Sequence, residues 1–358
     1  MNKVKILVIG GANIEYILKS KTPIEMGGKN FVDIEELFGG SGMNYASRLL
    51  ASGEDVLPIL FVGDDSVGEK IYDKIISYKN AQDIKKDQFF VPNLTTPRST
   101  IVVDGNNRTI FSQDQNYNNI FKSFIEGRLD QVYDIDTVII GHIHSDRGAI
   151  NTDRSMLSTS HIIKRFSQTD SLIYVNLGAS QLEYGFDFWE EDMGEIDILQ
   201  LNIDELKQFI KDGESLDLFS LVKKLKKVGI SAVITLDQFG ALGIYKGEVD
   251  CLFLARAIIN EVDFVDSTGA GDAFCSGMVS SLAGSKDFTK EQFKEAMGVG
   301  RSWASYACNS YGGANECPTD HEIKIFHDKN IKENEVMIYN GESIRDILAL
   351  LDSRLKTL

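Results

Sequence analysis

Runs of apolar residues recur along the chain, and polar stretches with helical spacing separate them. Residues 4–9 are nearly all apolar, which predicts a strand buried on both faces of a parallel sheet. Residues 58–62, 137–141, 172–176, 196–201 and 232–236 repeat the pattern. Between them, helices are predicted from residue 47 to a stop near Gly53, over 293–307 and over 343–355, with a basic helix ending near Gly229. Two regions differ. Residues 14–38 alternate in short mixed stretches, as antiparallel strands do. Residues 99–103 and 108–111 flank Asp104-Gly105-Asn106-Asn107 and predict a hairpin. The pattern describes an α/β domain with a small antiparallel sheet inserted in it.

The richest stretch is 266–274, Asp-Ser-Thr-Gly-Ala-Gly-Asp-Ala-Phe. An apolar, β-leaning run from Ala257 to Val265 precedes it, and Ala273, Phe274, Met278, Val279 and Leu282 follow at helical spacing. Gly269-Ala270-Gly271 therefore sits where a loop enters a helix, with Ser267 or Thr268 as N-cap. Free N–H groups and the positive dipole end there favour an anion, and glycine lets it approach the backbone. Asp272, in the first turn, is placed to take a proton from an attacking hydroxyl. The plainer alternative is a glycine-rich turn whose aspartate complements the dipole. A second loop of this kind, Gly39-Gly40-Ser41-Gly42-Met43-Asn44, enters the helix that stops at Gly53.

Residues 266–274 closely resemble the second signature of the ribokinase-like (pfkB) carbohydrate kinases, and residues 39–46 resemble the first. The resemblance covers roughly residues 4–318. It implies a ribokinase-like three-layer α/β/α sandwich with a mostly parallel central sheet and a small antiparallel β lid. One domain would span 1–330, with lid insertions at about 14–38 and 98–118, and a helical C-terminal extension over 331–358. The implied activity is ATP-dependent phosphorylation of a sugar hydroxyl. Asp272 would be the base, and Gly269, Ala270 and Gly271 would form the anion hole. Asn13, Glu15, Gly39, Gly40 and Asn44 would hold the sugar, although the family more often has Asp where Glu15 stands. Asn202 and Glu205 match an Asn-x-x-Glu motif that organises Mg²⁺ through water, and they equally spell a helix capping box. Thr235, Gly240 and Asn309 would meet the nucleotide; Asp237 replaces a usual glycine. Asp266 would help bind a monovalent cation such as K⁺. The resemblance also implies a homodimer paired through the lid.

Composition narrows the partners. The 358 residues are 43% hydrophobic and 25% charged, ordinary for a globular chain of this size. A net charge of −16 opposes nucleic acid and anionic membranes, and a bound nucleotide then requires Mg²⁺ and local backbone dipoles. No apolar run is long enough to span a bilayer, and the short apolar start is read as a strand rather than a signal peptide. Cys251, Cys275, Cys308 and Cys317 show no C-x-x-C spacing, so reduced thiols in the cytoplasm are expected. His142-Ile143-His144-Ser145-Asp146 hints at a metal, but no partner at recognisable spacing supports one. A substrate contact after a strand end is the better reading, as it is for Asn176. No G-x-G-x-x-G follows the first strand and no P-loop is present, which disfavours a dinucleotide oxidoreductase and a P-loop kinase. A nucleoside kinase, with Phe111 and Tyr117 stacking a base, and a non-catalytic sensor on the same fold stay open.

Overall fold

The apolar runs lie side by side in one sheet of the computed structural model, which describes residues 4–104, 107–113, 120–143, 157–210, 218–226, 228–258, 264–330 and 336–355. β1 (Lys5–Gly11) pairs in parallel with β4 (Asp55–Gly63) on one side and β8 (Thr137–Ile140) on the other. β5 (Phe90–Val91) extends the β4 side. β9 (Leu172–Asn176), β10 (Ile198–Asn202) and β11 (Ser231–Thr235) continue the parallel run beyond β8. β12 (Ala241–Ile244), β13 (Cys251–Ala255) and β14 (Met337–Asn340) close that edge antiparallel. The order is β14-β13-β12-β11-β10-β9-β8-β1-β4-β5.

Period-2 alternation along continuously apolar strands feeds two cores, one on each face. Leu7 and Ile9 pack with α4 (Ile120–Leu129), α5 (Ser158–Ser167), α6 (Ala179–Leu182), α7 (Phe186–Met193), α8 (Ile203–Ile210), α9 (Leu218–Leu225) and α13 (Glu342–Leu355). Ile6 and Val8 pack with α1 (Ser41–Ala51), α2 (Ser66–Ile76), α3 (Lys86–Phe89), α10 (Ala270–Leu282) and α11 (Lys290–Ala307). α12 (Asp320–Asn330) lies outside α11, where Ile323 meets Trp303. The three layers expected from the sequence are present. Each large aliphatic side chain buried this way contributes about 1.5–3 kcal/mol.

The small sheet has the order β3-β2-β6-β7, from β2 (Asn13–Ser20), β3 (Val32–Gly39), β6 (Arg98–Asp104) and β7 (Asn107–Ser112). Its two hairpins are antiparallel, but β2 and β6 pair in parallel. Both strands set out from the same side of the main sheet, so they run in one direction. The hairpin tip at 105–106 and Tyr117 lie outside the described residues.

Three expectations are corrected. The strand read over 257–265 falls earlier, at β13: Ala257 and Ile258 line the cleft described below instead of joining a ladder, and part of that run lies outside the described residues. The N-cap of α10 is Gly269, not Ser267 or Thr268, because the Thr268 amide and hydroxyl both turn back to Asp266 Oδ1. The chain after 331 supplies β14 as well as the expected helix, so it closes the edge of the main sheet.

Candidate active site

The parallel strands β11, β10, β9, β8 and β1 are neighbours, and their carboxyl ends carry Thr235, Asn202, Asn176, His142 and Asn13 in that spatial order. Ligands of open α/β sheets gather at such ends. A cleft of about 810 Å³ opens there, lined among others by Thr235, Gly240, Asn202, Glu205, Asp272 and Asn309. His142, Asn176, Gly269, Ala270 and Gly271 share it. The predicted nucleotide-side residues and the predicted anion hole therefore meet in one cavity. The residues predicted to hold the acceptor sit beyond Asp272, next to the small sheet.

The start of α10 forms the cleft's sharpest feature. Gly269 is left-handed at φ 75, and a Cβ on it would lie 2.5 Å from the Gly313 Cα. Only glycine fits both constraints. No side chain caps the helix. The Ala270 amide donates to the Ser267 carbonyl at 3.1 Å and the Ala273 amide to the Gly269 carbonyl at 2.9 Å. Between them, the amides of Gly271 and Asp272 have no acceptor among the described residues. They form the open, positive end of the helix. The buried Gln200 fixes this turn: its Nε2 donates to the Gly271 carbonyl at 2.8 Å, and its Oε1 accepts from the Tyr174 hydroxyl at 2.6 Å.

Asp272 joins the two glycine-rich helix starts. Asn44, in the first turn of α1, donates from Nδ2 to Asp272 Oδ2 at 2.6 Å. Burial pushes the Asp272 carboxyl above its ordinary value, while the Asn44 hydrogen bond, His142, Tyr45 and Arg48 pull it back. Glu205 is also raised by burial, opposed by the Asn202 amide and by His142 and reinforced by the charge of Asp272. The two carboxylates thus feel each other across the cleft. Asn202 and Glu205 do form the reciprocal cap: the Asn202 amide donates to Glu205 Oε2 at 2.7 Å, and the Glu205 amide to Asn202 Oδ1 at 2.8 Å. The cap holds both side chains at the cleft wall, so capping and ligand contact are compatible.

Among the predicted acceptor residues, Asn13 stands opposite Gly39 across β2 and β3, and a Cβ on Gly39 would strike Glu15 at 2.5 Å. Asn13 Nδ2 donates to Ser99 Oγ at 3.1 Å, and its buried Oδ1 has no partner among the described residues. Asn44 Oδ1 is buried and unpartnered in the same way. Gly40 precedes α1 as its N-cap. Asp237, where the sequence departs from glycine, holds φ 49, a left-handed value that glycine adopts most readily. Asp266 braces two loops: its Oδ1 accepts from Thr268 and its Oδ2 from the Gly312 amide at 3.2 Å. Among the described residues no cluster of three His, Cys, Asp or Glu forms a metal cage; His144 and Asp146 lie outside them.

Sequence reasoning missed Gln200, Ser99 and Arg48. Gln200 left a signal, a lone amide inside an apolar strand. Arg48, 1% exposed and one turn beyond Asn44, places its charge on Asp272 and Cys308. Nothing local distinguishes it from a surface arginine.

The family model of pfkB family carbohydrate kinases matches residues 3–320. An ATP-dependent 6-phosphofructokinase of Thermoanaerobacterium thermosaccharolyticum is 26% identical over 304 residues, 82% of this chain and 86% of the relative. A guanosine-inosine kinase of Exiguobacterium acetylicum is 24% identical over 305 residues, 82% of this chain and 92% of the relative. The structure of a ribokinase from Giardia lamblia superposes with a TM-score of 0.71 at 18% identity, covering 92% of this chain and 99% of that one.

Proposed function

Because the chain belongs to the pfkB family of carbohydrate kinases, and is thereby a phosphotransferase acting on a hydroxyl of a sugar or nucleoside, we propose that it uses ATP to phosphorylate a sugar hydroxyl. One observation carries the proposal: Asp272 stands in the first turn of α10, beside open backbone amides, and is held by the residue that enters the acceptor side, Asn44. In the proposed step the acceptor oxygen forms a bond to the γ-phosphorus as the bond to the β-phosphate oxygen breaks. Asp272 takes the hydroxyl proton, and ADP leaves. The α10 start, shaped by Gly269, Ala270 and Gly271, stabilises the charge on the moving group, with the Gly271 and Asp272 amides as the open donors. Asn13, Glu15, Gly39, Gly40 and Asn44 orient the acceptor. The free Oδ1 atoms of Asn13 and Asn44 suit hydroxyl donors.

Thr235, Gly240 and Asn309 hold the nucleotide, with the apolar Ala257, Ile258 and Ala304 nearby for the base. Asn202 and Glu205 offer oxygen only, which fits an Mg²⁺ ion held mainly by phosphates and water. When bound with ATP, Mg²⁺ neutralises phosphate charge. The proposal includes a monovalent cation beside Asp266, a homodimer through the lid, where Ile34 and Phe111 are exposed, and a cytoplasmic site suited to four free cysteines. Replacing K⁺ by Na⁺ in the assay and sedimentation of the purified chain test the first two.

The guanosine-inosine kinase relative favours a second reading, a nucleoside acceptor. ADP release from MgATP, measured for the wild type and Asp272→Asn against pentoses, hexoses, ketoses, sugar acids and nucleosides, separates the two. Ligand binding without ADP release for any acceptor would point to a sensor.

A further inference from the structure

The ordering of strand ends leaves one position unassigned. β10 and β11 carry the nucleotide side, and β1 leads to the acceptor side. Between them β8 and β9 end in His142 and Asn176, facing the cleft that holds Asp272. On the proposed function, the transferred group passes between these two sides.

We propose that His142 is a catalytic residue of this kinase, its imidazole Nδ1 donating a hydrogen bond to the phosphoryl group in transit. The inference rests on the kinase reading above. The residue is held at three points. Its backbone amide donates to Ser41 Oγ at 3.0 Å, which docks the end of β8 on the first turn of α1. Nε2 lies 3.2 Å from Asn176 Oδ1, and an amide oxygen there makes Nε2 the donor. The side chain packs against Gly178, where an added Cβ would come within 2.6 Å of the imidazole Cγ. Nδ1 makes no hydrogen bond to the described protein, and the residue is part-exposed at the cleft wall. Such a clamp fixes the ring plane in advance, the condition under which a donor stabilises a transition state without reorganising.

With Nε2–H directed to Asn176, a donor at Nδ1 is the second N–H of an imidazolium, the form that negative phosphoryl oxygens favour once they are bound. The bonds made and broken are those of the proposed transfer, and His142 gives up no proton.

The test uses three variants of the full chain, assayed for acceptor-dependent ADP release. His142→Asn retains a donor near the Nδ1 position, His142→Gln one near the Nε2 position, and His142→Ala neither. Expected are a loss of about 10²-fold in kcat for Ala and Gln, with both KM values within about threefold, and recovery to within about tenfold of wild type for Asn. Normal turnover of His142→Ala would overturn the proposal. So would recovery by Gln rather than Asn, which would make the ring a tether for Asn176. Melting temperatures of the three variants identify any loss due to misfolding, and the Asn-against-Gln comparison is read among folded variants. Wild-type turnover with an unaffected Ala variant removes this inference alone, whereas no wild-type turnover with any acceptor removes the kinase reading and this inference with it.

Discussion

Asp272→Asn separates what the carboxylate does chemically from what it does to the fold. Asparagine keeps the volume, and its amide oxygen can still accept the 2.6 Å hydrogen bond from Asn44. What is lost is the carboxylate charge, and with it the base that the proposed mechanism requires. Removing a general base costs about 10²–10⁴-fold in rate, or about 2.7–5.4 kcal/mol at 1.36 kcal/mol per decade. Stability moves the other way. Burial raises the Asp272 carboxyl, so the fold prefers the protonated form. A carboxyl raised on folding contributes its stability below its ordinary pKa and loses it as pH rises through the folded value. Above that folded value the wild type carries an ionised, partly desolvated carboxylate that the variant lacks. Asp272→Asn is expected to melt higher than wild type there, with the gap closing as pH falls through the folded value. For the wild type, kcat/KM should fall on the acid side with a limb above the ordinary carboxylate range. Coupled ADP release and thermal unfolding across pH measure both effects. Near-normal turnover of Asp272→Asn would refute the base assignment. A variant less stable than wild type at every pH would refute the burial account.

Three further outcomes follow from single contacts. Gln200→Leu removes both amide hydrogen bonds and leaves the buried Tyr174 hydroxyl only the weak Met278 Sδ contact at 3.6 Å, so it should lower stability by about 1–3 kcal/mol in chemical denaturation; an unchanged midpoint would show the amide is dispensable. Glu205→Gln preserves an oxygen for the Asn202 amide but removes the charge, so it should shift the Mg²⁺ titration upward with little change in melting, whereas Glu205→Ala should also lose about 0.5–2 kcal/mol of capping; an unchanged Mg²⁺ titration of Glu205→Gln would reduce the residue to its cap. Gly313→Ala puts a methyl 2.3 Å from Asn44 Nδ2 and should push that amide off Asp272, costing at least about tenfold in kcat/KM; wild-type kinetics would show that the Asn44–Asp272 bond does not position the base.

Much of this protein is written locally. Continuous apolar runs became the parallel strands, because a strand buried on both faces needs no polar alternation. Glycine-rich loops before helical spacing marked the starts of α1 and α10, because a close-packed helix terminus demands small residues wherever it sits. Local signals also misled. The apolar residues 257 and 258 look like strand but line a cleft, and Thr268, a good cap by type, is engaged by Asp266. What tertiary structure alone decided is adjacency. No local pattern states that Asn44 reaches Asp272, 228 residues away, or that β8 and β9 stand between β10 and β1 and so bring His142 and Asn176 to the wall of one cleft. Periodicity and turn chemistry act over a few residues, so the sequence determines them directly. The order of strands is set by how two hydrophobic faces are covered at once, and that is a property of the whole packed chain.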